Sequence, residues 1–166
     1  GRLGFNWGGE DKKSTLGLAY AGGPEPIFNC TLAGGCKNSR FIHIAALDLS
    51  WKITPSLLLG ADAVYRQDAP VQTGAVTDRA FGAFGLIDYQ LNDLWAFYFR
   101  YGFVQDRTGF YLGSSQNEHD FAIGARYRIA DGAKLKIEYN PTLFDPRGVG
   151  KSSLSHGFGM EFAYSF

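Results

Sequence analysis

Nine charged residues near the C-terminal half have types and spacings that could do chemistry together. They are Arg100, Arg126, Arg128, Lys134 and Lys136, with Asp88, Asp120, Glu138 and Glu161. The cations come from three consecutive segments in which charged and apolar residues alternate. Such a set can act in two ways. It can form a salt-bridged interior that satisfies its own charge, or it can line a wet channel whose basic wall attracts anions. Arg126 and Arg128 lie just before Asp131-Gly132, and Lys134 and Lys136 just after it, so an anion bias should be strongest beside that turn.

Other chemistry is weaker on inspection. Phe144 to Ser152 ends in Gly-Lys-Ser, but a phosphate-binding loop needs Gly where Asp145 stands and a helix after it. His43, His119 and His156 are scattered, and interfacial or loop roles suit them better than metal binding. Ser, His and Asp occur in loops without spacing that fixes a catalytic triad. No cofactor is implied. Asn29-Cys30-Thr31 matches a glycosylation sequon, a three-residue pattern that carries no argument by itself. Cys30 and Cys36 sit five residues apart in a Gly-, Pro- and Asn-rich stretch. A disulfide in an oxidising compartment is the favoured reading, worth about 2.4 kcal/mol in the chain-entropy model. Free or metal-binding thiols are the alternative, and a metal would lack two further ligands.

Composition narrows the class. The 166 residues carry 16 Lys+Arg and 16 Asp+Glu, so the net charge is zero, which argues against nucleic-acid binding. Charged residues are 19%, aromatics 16%, and Gly is 22 of 166. No run approaches the ~20 apolar residues of a membrane helix. The chain starts at Gly1 with no leader-like segment, so a processed chain or a fragment is expected.

The segments that must position the charges have a period of two. Leu154, His156, Phe158, Met160, Phe162, Tyr164 and Phe166 alternate with Ser155, Gly157, Gly159, Glu161, Ala163 and Ser165. That alternation is about twice the length of an ordinary strand and matches a bilayer-crossing one. It recurs over Arg40–Ile53, Ser56–Arg66, Arg79–Leu91, Leu94–Gln105, Glu118–Ile129 and Ala133–Leu143, with less certain strands at Arg2–Gly8 and Lys13–Ala21. Short connections (Glu10 to Lys12, Thr54-Pro55, Asn92-Asp93, Asp131-Gly132) alternate with long ones, as periplasmic turns alternate with outer loops. Trp7, Trp51, Tyr89, Trp95 and Tyr127 sit near strand ends, where interface girdles lie. A midplane charge on a lipid face costs about 2 to 4 kcal/mol, and the middles of the later strands carry essentially none on their apolar face. The expected fold is all-β: one antiparallel transmembrane β-barrel domain over 1–166 with about eight or nine strands.

The run Gly157 to Phe166 resembles the terminal strand of bacterial outer-membrane proteins. The resemblance implies that Phe166, with Tyr164 and Phe162, is read by the barrel-assembly machinery. Ala80-Phe81-Gly82-Ala83-Phe84-Gly85, Asp88-Tyr89-Gln90-Leu91-Asn92-Asp93, Phe99-Arg100-Tyr101 and Asp106 resemble the OmpL-like β-barrel porin family. Ala133 to Asn140 is similar to the penultimate strand of such porins. The resemblance covers roughly the last ninety residues. It implies an outer-membrane pore for small hydrophilic solutes or ions, with lipid as partner and a homo-oligomer or another outer-membrane protein as neighbour. The rival is a structural barrel, or a sheath around a cytochrome or lipoprotein; an enzyme is third. Bacterial barrels have even strand numbers. With nine, either the first strand is not a strand or, the favoured reading, the chain is the C-terminal portion of a larger barrel, incomplete at the N-terminal side. Deleting Phe166 is expected to reduce the assembled fraction, measured as heat-modifiable mobility of the membrane-extracted protein. Unchanged assembly would contradict the terminal signal.

Overall fold

A computed structural model describes residues 1–9, 13–26, 39–70, 77–107, 115–147 and 150–164, with backbone alone at 25, 26, 39 and 70. Cys30, Cys36 and Phe166 lie outside the described residues. The described elements are nine strands: β1 (Arg2–Trp7), β2 (Ser14–Pro26), β3 (Ser39–Thr54), β4 (Leu57–Pro70), β5 (Asp78–Gln90), β6 (Trp95–Asp106), β7 (Gln116–Ala130), β8 (Ala133–Pro146) and β9 (Ser153–Tyr164). They form one antiparallel sheet in sequence order, each strand hydrogen-bonded to the next. β1 and β9 are its two edges, and the sheet is not closed. Among the described residues there is no helix.

The turns explain the meander. Gly132 adopts a φ of 80°, a left-handed conformation that costs glycine least, and reverses the chain between β7 and β8. At the β5–β6 reversal the Asn92 carboxamide oxygen accepts from the Leu94 and Trp95 amides, both at 2.9 Å. Gly8, with a φ of 88°, ends β1.

Several strands run further than their alternation predicts, mainly at the long-connection end; β3 and β7 also gain one residue at the short end. β2 continues through Gly22, Gly23 and Pro24 to Pro26, and β4 through Gln67 to Pro70. Glycine and proline read as loop punctuation in the sequence. Here β2 past Tyr20 pairs with β3 alone, so Pro24 loses no ladder hydrogen bond on its other side. In β8 the register to β7 steps from Thr142 to Tyr139, skipping Pro141.

The register sorts the side chains into two faces. One carries Arg2, Asp48, Asp62, Arg100, Asp120, Arg126, Glu138 and Glu161, among others, and is called the polar face here. It is not uniformly polar: Val64, Phe84, Leu86 and Val104 form an apolar patch on β4–β6. The other face carries charge within its strands only at Arg79 and Asp145, each one position from a strand end. The rest of that face is mostly Leu, Ile, Phe, Tyr, Trp and Ala. Trp7, Trp51, Tyr89, Trp95 and Tyr127 lie on it near the short connections, where Trp95 packs on Tyr127 with ring centroids 4.6 Å apart.

Among the described residues, no apolar core backs either face. The buried hydrophobic residues described are all alanines: Ala96, Ala122 and Ala133. Large apolar side chains are open instead, with Phe99 43%, Ile123 60% and Ile137 54% exposed in the middle of their strands. A soluble sandwich would bury these residues against a second sheet.

Candidate functional site

The charged wall begins with single-residue alternation, which points every second side chain to the same side. Arg100, Arg126, Arg128, Lys134, Lys136, Asp88, Asp120, Glu138 and Glu161 all fall on the polar face, as their spacing predicts. The register then sets which of them meet. Arg100 donates to Asp120 at 3.0 Å, and Thr142 Oγ1 donates to the other oxygen of that carboxylate at 3.1 Å. Arg126 donates to both oxygens of Asp88, and Lys136 Nζ lies 3.1 Å from Glu138. Arg128 and Lys134 face each other across the β7–β8 turn, and Glu161 stands opposite Lys136.

Several of these contacts skip a strand. Arg126 on β7 reaches over β6 to Asp88 on β5. Tyr98 on β6 reaches over β7 and donates to Glu138 on β8. Arg2 on β1 spans β2 to Asp48 on β3, at 3.0 and 3.2 Å, and Arg40 on β3 spans β4 to Asp78 on β5. The side chains therefore lie along the sheet. Three of these four crossings pass a small residue on the strand crossed; Arg40 crosses β4 beside Asp68 and Pro70 instead. A Cβ at Gly124 would stand 2.3 Å from the Tyr98 ring, and one at Gly17 2.3 Å from Asp48 Oδ1. At the Arg126–Asp88 crossing the neighbour on β6 is Ala96, only 4% exposed. Tyr98 is the hub: its ring also lies beneath Lys136 Nζ at 5.4 Å and the Arg126 guanidinium at 6.0 Å.

These residues border a hollow of about 710 Å³ on the polar face, lined in part by Asp62, Tyr98, Arg100, Asp120, Lys136 and Glu138. The ends of the wall differ. Towards the long connections lie buried carboxylates, Asp68 at 1% and Asp106 at 0% exposure, with Arg66 on Asp68 at 2.9 Å. Towards the short connections lie Lys52, Arg128 and Lys134. Among the described residues these three have no carboxylate within ion-pair distance. Asp62, Glu118 and Glu161 are the polar-face strand carboxylates in the same condition; Glu161 is near that end, as is Asp93, which lines a hollow with Arg128 and Lys134.

Sequence reasoning missed the strand-skipping partners. Tyr98 was legible: it interrupts the aromatic parity of β6 by standing between Ala96 and Arg100. Arg2, Arg40, Asp68, Asp78 and Asp106 sat in segments whose bounds were blurred.

The histidines are elsewhere. His43, His119 and His156 all lie on the apolar face, where each Nδ1 meets a tyrosine hydroxyl: Tyr20 at 2.7 Å, Tyr101 at 2.8 Å and Tyr139 at 2.7 Å. Among the described residues, no group of three or more His, Cys, Asp or Glu could hold a metal ion. Phe162 and Tyr164 are on the apolar face of β9, exposed by 63% and 58%. No known protein family, curated protein or solved structure matches this chain.

Gly124→Val is expected to force Tyr98 off Glu138, costing about 1 to 3 kcal/mol by overpacking. The denaturant midpoint of the refolded protein reads that loss. In a Tyr98→Ala background the same substitution should cost much less; an equal cost would mean that Tyr98 is not what Gly124 accommodates.

Proposed function

We propose that the chain forms part of an outer-membrane β-barrel pore through which small hydrophilic solutes or ions diffuse passively. The observation that carries this reading is the strand-skipping lacing of the polar face. Charges that pair along their own wall do not need an opposite wall or a plug to satisfy them. That arrangement suits a water-filled lumen, where an occluded small barrel would pair its charges across the interior. The opposite face, with exposed Phe, Ile, Leu and Trp and charges only near strand ends, suits lipid. The resemblance of the later strands to OmpL-like porins points the same way. No covalent chemistry is involved.

Strand parity bears on closure. In a nine-strand antiparallel meander β1 and β9 run in the same direction. A second copy with its long connections on the same side would set β9 against β1 in parallel. All-antiparallel closure needs an odd number of further strands, and an open edge is not tolerated in hydrocarbon. This supports the C-terminal portion of a larger barrel.

Selectivity follows from the cations without carboxylate partners. Lys52, Arg128 and Lys134 cluster at the short-connection end, which in outer-membrane barrels is the periplasmic mouth. Charges already paired contribute little net field, so these three should set any anion preference. In planar bilayers under a salt gradient, the native protein should give a reversal potential biased towards anions. Arg128→Gln with Lys134→Gln should shift it towards cations, and Arg100→Gln should shift it less. An unchanged potential would overturn the selectivity; absence of stepwise conductance from properly inserted protein would overturn the pore.

A further inference from the structure

On the apolar face, a hollow of about 710 Å³ runs from Leu3 on β1 across to Phe81 on β5. It exists because small residues stand among large ones: Ala45 lies between Tyr20 and Tyr65 in register, and Ala63 beside Leu47. Tyr65 and Phe81 form one border. The same two side chains line a second hollow of about 350 Å³ immediately towards the long connections, and that one contains Arg79 and Arg107. Both arginines are exposed, and the Arg107 backbone amide donates to the Arg79 carbonyl at 3.3 Å. Gln105 Oε1 accepts from Arg107 Nε at 3.1 Å and orients that guanidinium.

Among the described residues, neither guanidinium has a carboxylate within ion-pair distance. An apolar hollow thus continues into a pair of uncompensated cations, on a face otherwise nearly free of charge.

We infer that this is a binding site for one phosphate-bearing lipid, with an acyl chain in the alanine-floored hollow and the phosphate between Arg79 and Arg107. The inference rests on the apolar face being lipid-facing. Guanidinium recognises phosphate through paired, charge-assisted hydrogen bonds. A second copy of the chain is a poor occupant: rotation about an axis normal to the membrane would bring like rims together and set guanidiniums against guanidiniums.

The test uses the full chain folded in detergent and titrated with phosphatidylglycerol or with diacylglycerol of the same acyl chains. Bound lipid is counted by native mass spectrometry. One phosphatidylglycerol should be retained, diacylglycerol should not, and millimolar inorganic phosphate should not displace the lipid. Arg79→Gln with Arg107→Gln should weaken retention by about tenfold or more, since each charged hydrogen bond is worth about that factor. Ala45→Leu with Ala63→Leu should weaken it with both cations intact. Equal retention by the arginine variant, equal retention of diacylglycerol, or displacement by phosphate would each overturn the site. Flotation with phosphatidylcholine vesicles separates the two readings. Failure to float overturns the membrane assignment, whereas flotation with undiminished lipid retention in the arginine variant overturns the lipid site alone.

Discussion

Strand side chains alternate sides, and this chain uses that alternation to keep Asp, Glu, Lys and Arg almost entirely off one face of a long sheet. The two exceptions, Arg79 and Asp145, stand next to strand ends. Everything else in the architecture follows from that segregation. Strands of 12 to 16 residues in β2 to β9 are long enough to cross hydrocarbon when tilted. Their apolar side chains have nothing within the described chain to bury them. A sheet that buries only three alanines as its hydrophobic interior cannot draw its stability from a conventional core. The described residues do not supply that term; in the proposed membrane reading a bilayer would supply it without a second layer of protein.

The polar face meets the opposite problem, because charge on a wall needs partners. The lacing solves it locally: a long side chain crosses a small residue and finds a carboxylate or hydroxyl two strands away, as Arg126 does over β6 and Tyr98 over Gly124. Glycine abundance in this chain thus has a steric reason at particular positions, beyond turn formation. Where the lacing stops, unpaired charge remains, and it is unevenly distributed. Lys52, Arg128 and Lys134 lie at one end, while at the other end the buried Asp68 is already paired with Arg66. A wall of this kind has a direction as well as a sign.

Much of this was legible from residue order. Alternation fixes which side of the sheet Arg100 or Glu138 occupies, and all nine proposed wall residues fall on the polar face. The short turn at Asp131-Gly132 also made the facing of Arg128 and Lys134 readable, because a tight turn sets the register of its own hairpin. Register across a long connection is not readable that way. The approach of Arg126 to Asp88 depends on the β6–β7 register, which the segment after Asp106 does not determine. Strand ends were hidden for a different reason. Pro24, Pro26 and Pro70 are punctuation in a sequence, yet an extended strand tolerates them where no neighbour needs their amide.

The account depends on the two faces meeting different solvents, and β6 tests that most directly. Single nitroxide labels at 97, 98, 99, 100, 101, 102 and 103, in protein reconstituted into phosphatidylcholine vesicles, can be relaxed by oxygen, which partitions into lipid, or by a water-soluble nickel chelate. The prediction is a strict alternation: Phe97, Phe99, Tyr101 and Phe103 respond to oxygen, and Tyr98, Arg100 and Gly102 to nickel. Shielding of the odd positions from both reagents would mean a packed protein core behind the apolar face and would contradict the account.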